Sequence, residues 1–263
     1  MKSDPNSESQ PVESLGRVLD VLELFTAEAP ELTLTMIAER LGWPTPTAHR
    51  VVNTLLARKF LIRDPGSRRL RLGTSVMRLV APLISGMSLP DVAQPHLHRL
   101  ASEMGETVNL AVLDGADTLY IASAAGGSLL RAETPPGLRI PAHCTALGKC
   151  MLAQLDPADA AQRLGPGPYA ARTQHSLKSW DQLAHQLDGV RARGFALSLE
   201  EYELGLNSCA VGVPTADRAP AAINVAAVAS RVPPDELVAR FVPRLRSTAD
   251  AIARAQGISP GRQ

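Results

Sequence analysis

The sequence predicts an α+β protein in two parts: a winged helix-turn-helix, then an antiparallel sheet flanked by helices. Three observations predict this. The stretch LTLTMIAERLGWPTPTAHRVVNTLLARK (32–59) carries two helical apolar stripes separated by a turn rich in glycine and proline. Between Arg40 and Arg78 nine basic residues face a single acidic one, Asp64, a net +8 in a chain whose formal net charge is +1. Beyond residue 100, strand-like runs at hairpin spacing are interspersed with helical patterns, the texture of an α+β domain.

At 263 residues the chain has room for two modest domains. Aromatic residues make up only 3%, so burial has to come from Leu, Val, Ile and Ala. No apolar run reaches the length of a membrane span, and the polar start MKSDPNSESQ does not read as a signal peptide. Three cysteines with no CxxC pair argue against a disulfide framework and a zinc module. The expectation is a cytoplasmic protein with no membrane segment, no metal and no cofactor.

Residues 1–13 read as a disordered tail. A helix over 14–26 follows, with Leu15, Val18, Leu19, Leu22 and Phe25 expected on its buried side. Leu34, Ile37, Ala38 and Leu41 form the next stripe, capped by Thr33 and stopped by Gly42. Ala48, Val51, Val52, Leu55 and Leu56 form the third, with Thr45 expected as the cap and Pro46 as the first helical residue. Its outer face carries Pro46, Thr47, Arg50, Asn53 and Thr54, with His49 at the margin. Hydroxyls, an arginine and an asparagine on a helix whose other face is fixed to a core reach base edges and phosphates. Thr45, Thr47, His49, Arg50 and Asn53 are therefore candidate DNA contacts.

A basic hairpin comes next: strand 61–63, a turn over Asp64-Pro65-Gly66-Ser67, and strand 69–72. Arg68 and Arg69 at its tip are expected to lie along phosphates, which makes it a wing and closes a winged helix-turn-helix domain at 14–74. Val76, Leu79, Val80 and Leu83 suggest a linker helix over 75–90, closed at Pro90. A second domain, 91–258, begins with a helix at 91–104. Strands are expected at 108–115 and 118–123 around an Asp-Gly turn, near 129–133, and at 195–199, 209–213 and 222–230. Helices are expected at 145–155, from the capping-box Ser179 and Gln182 to Gly194, and through Leu237, Val238, Phe241, Leu245 and Ile252.

In this domain the run His143-Cys144-Thr145-Ala146-Leu147-Gly148 offers N–H groups at a helix start, where a carboxylate is favoured. Ser208 and Asn224 add donors, and Leu138, Leu147 and Leu206 are either pocket lining or core. Glu200 and Glu201 are adjacent, point different ways, and do not make a catalytic carboxylate pair. Lys149 is expected to cap or pair locally. Two other classes stay open on these residues. One is a thiol-dependent hydrolase using Cys144 beside His143, for which no third, orienting residue is identifiable. The other is an architectural DNA-binding protein that senses nothing.

The order TLTMIAERLGWPTPTAHRVVNTL, RLRLG, GETVNLAVLDG, PAHCTALGKCMLAQL and RARGFALSLEEYELGLNSCAVGVP resembles the IclR family of bacterial transcription regulators from about residue 14 to the final helix. The resemblance implies a winged helix-turn-helix, a linker helix and a C-terminal GAF-like effector-binding domain. It also implies homodimers, commonly paired into tetramers, that bind palindromic double-stranded DNA operators and answer to a small organic acid. The segment AAINVAAVASRVPPDELVARFVPRLRSTADAI and the run PAHCTALGK look most like the branch controlling protocatechuate, p-hydroxybenzoate and β-ketoadipate catabolism. Pro44-Thr45-Pro46-Thr47 replaces the Pro-Lys-Ser-Thr with which the family's DNA helix often begins. Carried over by position, the resemblance gives Ser198, Leu206, Ser208, Asn224 and Ala226, with His143, Cys144, Ala146, Leu147 and Gly148, as the effector-binding set and no catalytic residue.

Overall fold

The structure, a computed structural model, describes residues 13–26, 29–79, 88–128, 134–216 and 219–258. The chain separates into two units between residues 86 and 87. The expected tail up to residue 12 and the expected strand at 129–133 lie outside the described residues.

The first unit contains α1 (Glu13–Glu23), α2 (Leu34–Leu41), α3 (Thr45–Ala57), β1 (Leu61–Arg63), β2 (Leu70–Leu72) and helical residues 74–79, here α4. The Thr33 hydroxyl accepts the Met36 N–H at the start of α2, and Gly42 ends it at φ +65°, a conformation that costs other residues. Its core is Val21, Leu32, Ile37, Ala48, Val52, Leu55, Leu61 and Leu70 with partly buried neighbours. The reading of α1 is corrected here: Leu15 and Leu19 are 64% and 58% exposed. Val21 takes the core position, because Val18, Val21, Leu22 and Phe25 form the stripe that turns inward.

A second correction concerns the start of α3. Thr45 does not cap; the Pro44 carbonyl accepts the Thr47 and Ala48 N–H groups, and Pro46 sits inside the first turn, where its missing N–H costs nothing. The far end stops at Ala57, because Lys59 adopts φ +60° and Phe60 N–H turns back to the Leu55 carbonyl. Leu32 forms a bridge to Leu70 in both directions (3.0 and 2.8 Å), an edge contact that ties the segment before α2 to the hairpin.

The second unit is a six-stranded antiparallel sheet in the order β5-β4-β3-β8-β7-β6. Its strands are β3 (Thr107–Asp114), β4 (Asp117–Ala124), β5 (Arg139–Pro141), β6 (Ala196–Leu199), β7 (Leu206–Gly212) and β8 (Ala221–Val228). The helices are α5 (Ser88–Met104), α6 (Ala146–Leu152), α7 (Pro157–Leu164), α8 (Trp180–Arg193), the single turn α9 (Pro234–Glu236) and α10 (Val242–Ala255), with a π-helical stretch at Leu237–Phe241 before α10. Pro90 does not close a linker helix: α5 begins at Ser88, so 88–90 belong to it, and residues 80–87 lie outside the described residues. Proline is tolerated there because the first turn of a helix has no internal partner for its N–H groups.

The two sheet faces differ in residue size. Val108, Leu110, Cys209, Val211, Ile223 and Val225 pack under α5 and α10. On the opposite face Ala111, Ala196, Ala210 and Ala222 are small and α6 lies on them. Every residue of α6 is buried, and a Cβ on Gly148 would stand 2.2 Å from the Ala142 carbonyl oxygen. Only glycine lets α6 pack so closely on the preceding turn.

Candidate DNA interface and effector site

On α3, Ala48, Val52 and Leu55 are buried, which turns the opposite side outward. Thr45, His49, Arg50, Asn53 and Thr54 are exposed and Thr47 half-buried. With the cap taken by a carbonyl, the Thr45 and Thr47 hydroxyls are not consumed at the helix start. His49 Nδ1 lies 3.2 Å from Asn53 Nδ2, one turn on, so the two side chains orient each other. The Thr54 hydroxyl donates back to the Arg50 carbonyl (3.0 Å).

The hairpin tip is longer than expected. Arg69 belongs to the turn and not to β2, because Asp64 N–H donates to the Arg69 carbonyl and Arg68 N–H to the Asp64 carbonyl. The Asp64 carboxylate accepts Gly66 N–H, Ser67 N–H and the Ser67 hydroxyl. These bonds, led by that of the Ser67 backbone, hold its carboxyl below the usual range. Arg68 takes φ +58° at the end of this turn, and Arg68 and Arg69 stand fully outward. The wing is a rigid tip presenting two guanidinium groups.

In the second unit, strand register gathers residues that the sequence keeps far apart. Ser198 pairs with Ser208, Ser208 with Ala226, and Ala226 with Thr107, giving one row across four strands. Two residues along and on the same face, Ala196, Ala210, Asn224, Asn109 and Ser123 form the next row. Asn109 Nδ2 donates to Asn224 Oδ1 (2.9 Å), and Asn109 Oδ1 accepts from the Ser123 hydroxyl (2.8 Å) and from the Thr134 hydroxyl. Ser198 Oγ donates to the Cys144 carbonyl (3.1 Å), which fixes the turn before α6 against β6. Ser208 and Asn224 lie on this face and are 8% and 3% exposed, whereas the fully buried side-chain polar atoms without a partner among the described residues are Glu201 Oε2 and Asn207 Oδ1.

The other expected effector residues divide. Ala146 and Leu147 are buried over this face, while Leu206 is half-buried at its edge. His143 faces elsewhere: Nε2 lies 3.2 Å from the Ala170 carbonyl, and its ring stands 5.0 Å from that of Tyr169. The α6 start is not an open carboxylate cradle, because the Thr145 hydroxyl already accepts the Gly148 N–H at 2.9 Å. The Cys144 thiol donates to the Pro141 carbonyl, and burial first, then Glu201, pushes it up to about 12. With His143 turned to Ala170, no base among the described residues is seen to reach this thiol, which weighs against the hydrolase reading.

Sequence reasoning missed Asn109, Ser123, Thr134 and Tyr120. A signal for Asn109 was available: it interrupts the apolar run VNLAV just as Asn224 interrupts AAINVAAV. Glu200 and Glu201 do diverge. Glu200 Oε2 accepts Gly205 N–H (2.8 Å), while Glu201 Oε1 pairs with the fully buried Lys149 Nζ at 2.5 Å. Lys149 also reaches Gln186 Oε1 (2.7 Å), and Glu201 Oε2 has no partner among the described residues. Burial raises the Glu201 carboxyl and lowers the Lys149 ammonium, each countered by the other's charge.

Comparison with known proteins follows this division. Residues 14–65 match the IclR helix-turn-helix domain, and residues 81–254 match the bacterial transcriptional regulator IclR C-terminal model. The Pca regulon regulatory protein of Pseudomonas putida is 34% identical over 234 residues, covering 88% of this chain and 80% of that protein. The IclR transcriptional regulator from Alicyclobacillus acidocaldarius has a TM-score of 0.80 at 29% identity, covering 94% of this chain and 99% of that one. A double mutant of the inducer-binding domain of the PobR transcription factor from Acinetobacter, solved with 3-hydroxybenzoic acid, has a TM-score of 0.56 at 31% identity. It covers 61% of this chain and 95% of that one.

Proposed function

The chain belongs to the IclR family of bacterial transcription regulators, and on that premise we propose that it binds a catabolic operator in response to a small, hydroxylated aromatic or dicarboxylic acid. In this reading α3 enters the major groove with Thr45, Thr47, His49, Arg50 and Asn53 toward the bases and backbone, and Arg68 and Arg69 follow the phosphates. A homodimer, or a pair of them, places two such helices about 34 Å or a multiple apart on a palindromic site. The effector lies between α6 and the polar sheet face, against Asn109, Ser198, Ser208, Asn224 and Ala226. Its preference for one arrangement of the dimer changes operator affinity, with a reciprocal coupling of about 1–3 kcal/mol.

The observation that carries this reading is the set of buried polar side chains Asn109, Ser198, Ser208 and Asn224 on a sheet face otherwise made largely of alanine. A core needs no such groups; a site for a hydroxyl or carboxylate does. The relative solved with 3-hydroxybenzoic acid lends the same support to an aromatic acid. The test is fluorescence-anisotropy binding to the DNA upstream of the protein's own gene, with and without protocatechuate, p-hydroxybenzoate and β-ketoadipate. Salt-dependent, sequence-preferring binding altered by one acid is expected. Binding that no acid alters would retain the regulator and discard the effector class.

A further inference from the structure

The basic block between Arg40 and Arg78 is larger than its use so far, which takes up Arg50, Arg68 and Arg69. Arg58, Lys59 and Arg78 gather at the far end of α3. Arg58 is the residue at which the helix stops, and it continues the outward stripe, since Thr47, Arg50, Thr54 and Arg58 follow helical spacing. Lys59 comes next, at φ +60°. The start of α4 is spliced onto this end. Gly73 N–H donates to the Phe60 carbonyl (2.7 Å) and Ser75 N–H to the Lys59 carbonyl (3.1 Å). A Cβ on Gly73 would stand 2.2 Å from that Lys59 oxygen, so glycine permits the approach. The buried Ser75 hydroxyl donates to the Arg58 carbonyl (2.8 Å) and accepts from Arg78 Nη2 (3.2 Å). The Arg78 guanidinium is thereby held at the C-terminal end of α3.

A helix C-terminus carries about half a negative charge and repels a phosphate. The last turn of α3 contains no basic residue of its own. One cation more than offsets that half charge, so three leave a net positive patch. All three are exposed, and none pairs with a carboxylate among the described residues. Asp64, the single acidic residue of this stretch, is engaged in the wing turn. Length brings the patch to the backbone. The 13 residues of α3 make a helix of about 20 Å, against a major groove about 12 Å wide. With its first half on the bases, its far end emerges at the phosphates.

We propose that Arg58, Lys59 and Arg78 form a further phosphate anchor of the DNA-binding unit, with Ser75 as the residue that positions Arg78. This rests on the reading of α3 as the helix that enters the major groove. The wing tip and this patch then hold the backbone at two places, and the register of Arg50 on the bases is set between them.

The test is the salt dependence of fluorescence-anisotropy binding by the full chain to two duplexes of equal length. One comes from upstream of the protein's own gene, and the other has that sequence scrambled. Arg78→Gln is expected to lower the salt slope by about one charge per protomer and to weaken both duplexes equally, by about tenfold at roughly 0.1 M salt. Arg58→Gln should act likewise, and Arg78→Lys should keep the slope. Ser75→Ala keeps every charge, and its effect on binding should vanish in an Arg78→Gln background. An effect that persists there removes the positioning role. A patch that only neutralises the helix end would lower the melting temperature of Arg78→Gln and leave the slope alone; Arg58→Gln carries the test if that variant melts early. An unchanged slope in the folded variants overturns the anchor and leaves α3 in the groove. If the unmutated chain binds neither duplex at low salt, the reading of α3 fails and the anchor falls with it.

Discussion

The outer face of α3 and the inner face of the sheet carry the two candidate sites and are built in opposite ways. On α3 the polar side chains stand in water, tied at most to a neighbour one turn away, as His49 is to Asn53. Their placement depends on the buried trio Ala48, Val52 and Leu55 behind them. On the sheet Asn109 and Ser198 are themselves buried, and each depends on a partner from a distant part of the chain, Asn109 on Asn224 and Ser198 on the Cys144 carbonyl. A surface that meets a large, charged, hydrated partner needs its groups free. A pocket that encloses a small molecule needs them oriented before the ligand arrives.

The difference predicts how each region fails. The largest effect is expected behind the sheet face. Lys149→Met should destabilise the second unit by about 3–5 kcal/mol, because Glu201 is left charged and buried. Adding Glu201→Leu should recover most of it; urea unfolding checks both, and a double variant as unstable as the single one breaks the argument. Asn109→Ala should cost about 1–3 kcal/mol by stranding the Ser123 and Thr134 hydroxyls, again read by urea unfolding, while operator binding without effector is unchanged.

On α3 the expectation reverses, with function lost and stability kept. Arg50→Ala should weaken specific operator binding by about 1–3 kcal/mol if it reads a base, with an unchanged melting temperature. Equal binding at moderate salt would remove Arg50 from the interface. The smallest effect is expected at the wing. Arg69→Ala should lower the salt slope of binding by about one charge and leave sequence preference alone. A changed preference would instead make Arg69 a reader of the minor groove.

The helical part of the molecule was largely legible in the sequence. The apolar periods of α2 and α3, the Thr33 cap and the Gly42 and Gly194 stops are local features, set by residues within a turn of each other. The outward face of α3 follows from that period alone. The errors there were also local: Pro44 supplies the carbonyl that starts α3, and α1 turns Val21 inward in place of Leu15 and Leu19.

What the sequence by itself determined, then, is the helices and hairpin of the first unit with their basic block, and five of the six strands of the second unit, with β5 and α7 not foreseen. The tertiary structure alone decided which residues share the sheet face under α6. A strand shows its side chains on alternate sides, so one unit of register decides whether a residue meets α6 or α5. That register is set between strands more than 100 residues apart, as when Asn109 comes to lie opposite Asn224. It also decided that His143 turns to Ala170, that Thr145 closes the start of α6, and that Arg172 arrives over Tyr202. Each is fixed by packing between segments the chain does not connect locally, and periodicity carries no information about it.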